Sequence, residues 1–141
     1  MKLFLCIITQ YKLTIEYNTM KEIEKMIDDE EIIYLVGTNS KDNFDVIDRA
    51  SENDIWFHAK QIPSCHVVAL LPPDINIHGN KKLKQKIIVQ GCVLCKQHTN
   101  SIKDLSNVEM VITNVSNLIK HNKIMGQVSF HDNSLLKYRN T

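Results

Sequence analysis

Glycine is scarce in this chain, with four among 141 residues. A phosphate-cradling loop needs several glycines within a few positions, so the sequence is poorly supplied for holding a nucleotide, which argues against a nucleotide-dependent enzyme. No strained nucleophile elbow and no paired catalytic carboxylates appear. Aromatic residues make up only 6% of the chain, with a single tryptophan. No apolar run approaches the length needed to span a bilayer. Leu3 to Ile8 is apolar but too short for a secretory signal and gives way to Thr-Gln-Tyr-Lys. The protein is therefore expected in the cytoplasm, with the nucleus as the alternative, and its four cysteines, Cys6, Cys65, Cys92 and Cys95, as reduced thiols. One C-x-x-C stands alone at Cys92–Cys95. Zinc needs four ligands, and on a helix His98 would point away from that pair, so core packing is expected and no metal or cofactor is implied.

Charge of either sign is in little excess, at +1 overall, which argues against nucleic-acid binding through the whole molecule's field. The charge is nevertheless segregated. Residues 1–54 hold 12 acidic and 6 basic side chains, a sum of −6, whereas residues 55–141 hold 4 acidic and 11 basic ones, a sum of +7. All six histidines fall in the second part. Either one basic face meets an anionic partner, or the acidic segment folds against the basic one and the two cancel.

The densest chemistry lies in Asp54-Ile-Trp-Phe-His-Ala-Lys-Gln-Ile-Pro-Ser-Cys-His-Val-Val68. Read as a strand, Ile55, Phe57 and Ala59 point one way and Trp56, His58 and Lys60 the other. Burying the first face leaves a ring, an imidazole and an ammonium together, a set suited to a phosphate backbone with an unstacked base beside it. Trp56 either stacks on a base or plugs the core with its N–H satisfied. His58 and His66 titrate near neutrality but lack an orienting carboxylate other than Asp54, so binding is the more economical role for them than acid–base catalysis.

Along the chain, Met1–Ile8 and Lys12–Tyr17 read as a strand pair. Asn18–Glu31 carries Met20, Ile23, Met26 and Ile27 at helical spacing and predicts a short amphipathic helix. Ile32–Val36 reads as a strand closed by Gly37, and Asn39–Arg49 as a short helix or turn region. Asp54–Lys60 and His66–Leu71 read as strands around a Pro63 turn, with Pro72-Pro73-Asp74 breaking into a loop. Asn80–His98 is the best helix candidate, with Leu83, Ile87 and Leu94 on one stripe around Gly91 and Lys82, Lys86 and Lys96 roughly opposite. Its opening run Asn80-Lys-Lys-Leu-Lys-Gln-Lys86 puts lysines where they oppose the helix dipole, which makes an anionic partner attractive, although most such runs are solvated faces. Val108–Thr113 and Gln127–His131 are further strands, the latter with Val128 and Phe130 inward. The pattern predicts a single α+β domain over residues 1–141, with a mixed or antiparallel sheet and two or three helices.

Three ordered blocks carry a resemblance. Asp54, Trp56, His58, Lys60, Pro63, His66 and Val67 match the D-x-W-x-H-x-K-x-x-P-G-S-H-V signature of the NFACT-R family, with Ser64 in place of Gly and Cys65 in place of Ser. Glycine tolerates backbone conformations that serine resists, so the first change bears on the shape of that turn. Gly37, Asn39 and Asn43 resemble the family's opening G-x-N-x-x-x-N segment. Thr113, Ser116, Asn117, Leu118, Gly126, Gln127, Phe130 and His131 are similar to its closing segments, with Ile112 and Val115 where a Tyr and a Trp are usual. The likeness spans about residues 32–132 and is nearest to the stand-alone form in the eukaryotic coiled-coil domain-containing protein 25 family, although that family's long charged helix is not expected in a sequence stopping at Thr141.

NFACT-R is the predicted RNA-binding domain of ribosome-quality-control factors, so the resemblance implies a non-catalytic domain that binds RNA. The RNA would be structured, tRNA or ribosomal, since few aromatics are available to read a sequence. Lys60, Lys82, Lys86 and Lys120 would contact phosphates, Trp56 and His58 would stack on or hydrogen-bond a sugar or base, and Ser64, His66 and Thr113 would shape the pocket. Docking on a ribosome or another complex as a protein-interaction module, and DNA binding, are the alternatives. An enzyme acting on nucleic acid through His58 and His66 is a minor one.

Overall fold

The computed structural model describes residues 20–141; the expected strands at Met1–Ile8 and Lys12–Tyr17 lie outside them. The first element corrects an expectation. Lys21–Ile27 is a strand, β1, paired antiparallel with β2 (Glu30–Val36), not a helix. Ile23 and Ile27 are four apart, a spacing that satisfies one face of a helix and one face of a strand alike. Met26 decides between them, because a helix would bury it and here it is 68% exposed. The turn between the strands is Asp28-Asp29, with φ of 49° and 66°. Positive φ at both positions is the type I′ pattern that matches the twist of a two-residue hairpin, and Asp tolerates it better than most residues.

The remaining strands are β3 (Ile55–Ala59), β4 (Val67–Leu70), β5 (Glu109–Asn114), β6 (Leu118–Lys120), β7 (Val128–Phe130) and β8 (Lys137–Asn140). Six of them form one sheet in the order β1-β2-β4-β3-β5-β8, and β6 and β7 form a separate two-stranded ribbon. Every pairing is antiparallel. Helix α1 runs Ser40–Arg49, with Asn39 Oδ1 accepting from the Asp42 N–H at 2.9 Å. Helix α2 runs Lys81–Gln97, capped in the same way by Asn80 Oδ1 and the Leu83 N–H at 3.1 Å. Side-chain oxygens at these positions satisfy donors that have no partner inside the helix. Among the described residues the fold is α+β with two α-helices and an antiparallel sheet, as the sequence predicted.

The sheet has a core on each side. Ile55, Phe57 and Ala59 of β3 join Tyr34, Ile87, Leu94, Cys92 and Cys95 in a larger cluster under α2. Gly91 lets that helix approach, since a Cβ there would lie 2.2 Å from the Phe57 ring. Trp56 points the other way, with Leu35, Val68 and Val111, into a smaller cluster with Val46 and Ile47 of α1, against which Phe130 of β7 packs. The alternation read from Asp54–Lys60 thus separates the two cores.

Candidate nucleic-acid interface

Among the described residues the smaller core is incompletely covered. Between the start of α1, strand β3, the turn at residues 61–64 and the loop leading into β7 lies a cleft of about 630 Å³. The Trp56, His58 and His66 cluster and Phe130 are part of its lining. His58 stacks on the indole at 5.6 Å with planes 7° apart, while His66 and Phe130 meet it edge-on at 5.3 Å and 5.7 Å. Trp56 is only 2% exposed. Of the two roles open to it, it occupies the buried one, with its N–H satisfied.

Hydrogen bonds fix the protons of both histidines. The indole Nε1–H donates to His66 Nδ1 at 3.1 Å. An indole nitrogen only donates, so His66 Nδ1 must accept and its proton sits on Nε2. His58 Nδ1 lies 2.6 Å from the carbonyl oxygen of Ala59. A carbonyl only accepts, so Nδ1 carries the His58 proton and Nε2 keeps its lone pair. Burial, with a smaller repulsion from His58, pushes His66 down to about 3, and burial also lowers His58 against the opposing pull of the Ala59 carbonyl. Both rings are neutral near pH 7, one offering a donor and the other an acceptor.

The residues around the pair hold its geometry. Asn43 Oδ1 accepts from the His66 backbone N–H at 3.1 Å, and Gly37 N–H donates to the His66 carbonyl at 2.9 Å. A Cβ on Gly37 would lie 2.4 Å from that Asn43 oxygen. The opening segment is thereby explained: Gly37 makes room, Asn39 caps α1, and Asn43 reaches His66. Asp54 is no partner for a histidine. Its two oxygens accept from the backbone N–H groups of Ser51 at 2.7 Å and Leu71 at 2.9 Å, so it is a structural tie. Ser64 lines the cleft and its hydroxyl accepts from the Ala59 N–H at 3.0 Å. The left-handed residue of this turn is Gln61, with φ of 59°, not Ser64, so serine at position 64 carries no backbone strain. Thr113 lies buried in register beside Trp56 and accepts from Asn117 Nδ2 at 3.1 Å.

The lysines are placed differently. Lys60 lies on the Trp56 side of the sheet beyond the cleft, paired with Glu109 at 3.5 Å and above the Tyr138 ring at 4.7 Å. Lys120 pairs with Asp48 and sits over Phe44. Lys82 and Lys86 belong to α2, on the opposite side of the sheet from the cleft, and Lys86 pairs with Asp28 at 2.6 Å. Structure therefore brings Trp56, His58, Ser64 and His66 together, keeps Lys60, Thr113 and Lys120 on the same side, and leaves Lys82 and Lys86 behind. Two of these ion pairs, Lys86–Asp28 and Lys120–Asp48, join the acidic segment to the basic one, so the segregated charges are in part spent on each other.

Sequence reasoning assigned no role to Asn43, Gly126, Gln127 or Phe130, all of which line the cleft. The signal was present, since each falls in a segment that matches the NFACT-R pattern. Gly126 has φ of +85°, and a Cβ there would lie 2.9 Å from the backbone of Ser40, so the loop reaches α1 only with glycine at this position. Cys92 and Cys95 are buried thiols of the larger core, and with His98 they form no three-residue metal cluster among the described residues.

The family model described as the NFACT protein RNA binding domain matches residues 22–132. The chain belongs to this family. Similar proteins include the coiled-coil domain-containing protein 25 homolog of Dictyostelium discoideum, 30% identical over 115 residues covering 81% of this chain and 54% of that one. Coiled-coil domain-containing protein 25 of Danio rerio is 29% identical over 100 residues, 70% of this chain and 46% of its own length. This NFACT-R chain thus spans about half the length of the curated relatives it matches. The fold is also similar to the C-terminal structure of the fibronectin/fibrinogen-binding protein from Streptococcus suis, with a TM-score of 0.66 at 22% identity, covering 85% of this chain and 44% of that one. No helix among the described residues is long and apolar enough to cross a membrane.

Proposed function

We propose that this NFACT-R domain is a non-catalytic RNA-binding module that engages structured RNA, tRNA or ribosomal, through the cleft side of its sheet, and that it serves ribosome-associated quality control in the cytoplasm. One observation carries the reading: residues from the family's separated sequence blocks, Asn43, Trp56, His58, His66, Gly126, Gln127 and Phe130, converge on a single cleft. A family described by RNA binding would concentrate its recurring residues where RNA sits. No carboxylate among the described residues lines the cleft, which supports binding over catalysis, because neither histidine has an acidic partner to stabilise the imidazolium that a general base becomes. Exposed apolar side chains on the cleft margin, Ile62, Ile124 and Met125, favour protein docking as the second reading.

The test is a fluorescence-anisotropy titration of tRNA, single-stranded RNA and matched DNA at two salt concentrations, with Ile62→Asp as the cleft variant. Preference for RNA, weakened by that variant, supports the proposal. Equal binding of matched DNA shifts it to nucleic acids in general, because only contact with the 2′-hydroxyl separates the two. Absence of binding to all three at low salt defeats it in favour of protein docking.

A further inference from the structure

We propose that the cleft holds one unstacked nucleobase and reads its edge with the two histidine Nε2 atoms, an inference that rests on the RNA-binding reading above. The lining contains no Lys, Arg, Asp or Glu among the described residues. A phosphate has no counter-charge there, and moving its charge into such a site is costly. An uncharged heteroaromatic ring meets no such penalty. The volume, about 630 Å³, falls within the range of about 300–1,000 Å³ usual for small-ligand sites.

Polar groups of the right kind point into this space. His66 is only 3% exposed, yet no atom among the described residues bonds its Nε2, and the same holds for His58 Nε2. Among the described residues the single buried side-chain polar atom without a partner is Asp45 Oδ2. Both Nε2 atoms therefore meet open space, and the open space that both rings line is the cleft. With the tautomers fixed as above, His66 presents N–H and His58 presents a lone pair, on rings whose centroids lie 4.9 Å apart. Every nucleobase carries a donor beside an acceptor on its Watson–Crick edge, and unpaired bases are the ones whose edges are free. The pair thus suits a splayed-out base without demanding one identity. Ile62, Ile124 and Met125, at 38%, 47% and 57% exposure, supply apolar surface for the ring faces at the cleft margin.

The sugar–phosphate chain then runs outside, where Lys60 and Lys120 stand on the same side of the sheet, each already paired with a carboxylate. Two phosphate contacts on a single strand give a salt slope of about −1.4, or about a seven-fold loss of affinity between 50 and 200 mM salt, far shallower than a phosphate-driven interface.

The experiment uses a hairpin RNA with an unpaired loop, the same hairpin with abasic loop positions, and the four free nucleosides, each titrated into nitrogen-15-labelled protein while the histidine ring and Trp56 indole signals are followed. The expected result is saturable shifts of both Nε2 signals with the hairpin and with nucleosides, and at least about a ten-fold loss of affinity for the abasic hairpin. His58→Phe keeps a stacked ring but removes the acceptor. It should weaken the intact hairpin by about three- to ten-fold and leave the abasic one unchanged, with the Trp56 indole signal reporting that the fold persists. Equal binding of intact and abasic hairpins, with silent histidine signals, overturns the base site and leaves RNA binding standing. Nucleoside shifts at both histidines without hairpin binding uphold the base site and remove the RNA reading. Silence in both arms overturns both.

Discussion

His66 should make this domain acid-sensitive, and its contribution can be isolated. In the folded chain its Nδ1 accepts from the buried Trp56 N–H, so protonation would set two donors against each other in a desolvated site. The folded value is about 3, against 6.5 for an unperturbed histidine. Below pH 6.5 the unfolded chain takes up a proton that the folded chain refuses, so stability is fully present above that pH and falls as pH drops toward 3. At about 1.4 kcal/mol per pH step, the loss between pH 7 and pH 5 is about 2 kcal/mol, and the whole window spans about 5 kcal/mol. Two kcal/mol is a large share of the roughly 5–15 kcal/mol that holds an ordinary domain together. His58, also lowered by burial, adds in the same direction. The assay is urea unfolding at pH 7 and pH 5 for the wild type and for His66→Asn, which keeps an acceptor near the position of Nδ1 and does not titrate. With a urea slope of about 1–3 kcal/mol per molar, the wild-type midpoint should fall by roughly 1 M or more. The variant is less stable at pH 7 because it loses packed ring atoms, but its fall between the two pH values should be smaller by about 2 kcal/mol. Equal losses in the two proteins would refute the protonation assignment.

Other substitutions probe the scaffold. Gly126→Ala places a Cβ 2.9 Å from the Ser40 backbone at a φ of +85°, so it should cost about 1–3 kcal/mol in thermal unfolding and weaken RNA binding together; an unchanged melting temperature would show that the loop does not depend on this glycine. Asn39→Ala removes the cap on Asp42 N–H and should cost about 0.5–2 kcal/mol in urea unfolding, with recovery expected for Asn39→Ser. Lys86→Ala breaks an exposed pair with Asp28 on the side away from the cleft. It should change stability by under about 1 kcal/mol and leave RNA affinity unaltered; a large loss of affinity would move the interface to α2.

Much of the fold was legible because local patterns agreed with global ones. The alternation of Ile55, Phe57 and Ala59 against Trp56 and His58 corresponds to a sheet with two cores, and the stripe of Leu83, Ile87 and Leu94 corresponds to the buried face of α2. Lys21–Ile27 carries a spacing that two periods share, and the pairing of β1 with β2 and the exposure of Met26 resolve it in favour of a strand. Strand β8, Lys-Tyr-Arg-Asn, is exposed at every position and carries no periodic apolar signal; its pairing with β5 exists only in three dimensions. Within the site, the histidine pair was visible as a motif, but its chemistry was not. A tautomer depends on a hydrogen bond across ten residues of sequence, from Trp56 to His66. The lysines show the opposite failure. Their charge is plain in the sequence, whereas the face they occupy and the carboxylates that neutralise Lys60, Lys86 and Lys120 depend on tertiary packing.

The central claim is that RNA engages the cleft side of the sheet. Its most direct test is mapping of nitrogen–proton correlation shifts on the labelled protein as tRNA or a loop-bearing hairpin is added. The account predicts shifts clustered at His58, Ser64, His66, Gln127 and the loop at residues 121–127, with Lys82 and Lys86 of α2 unmoved. Shifts confined to α2 and its lysines would contradict it.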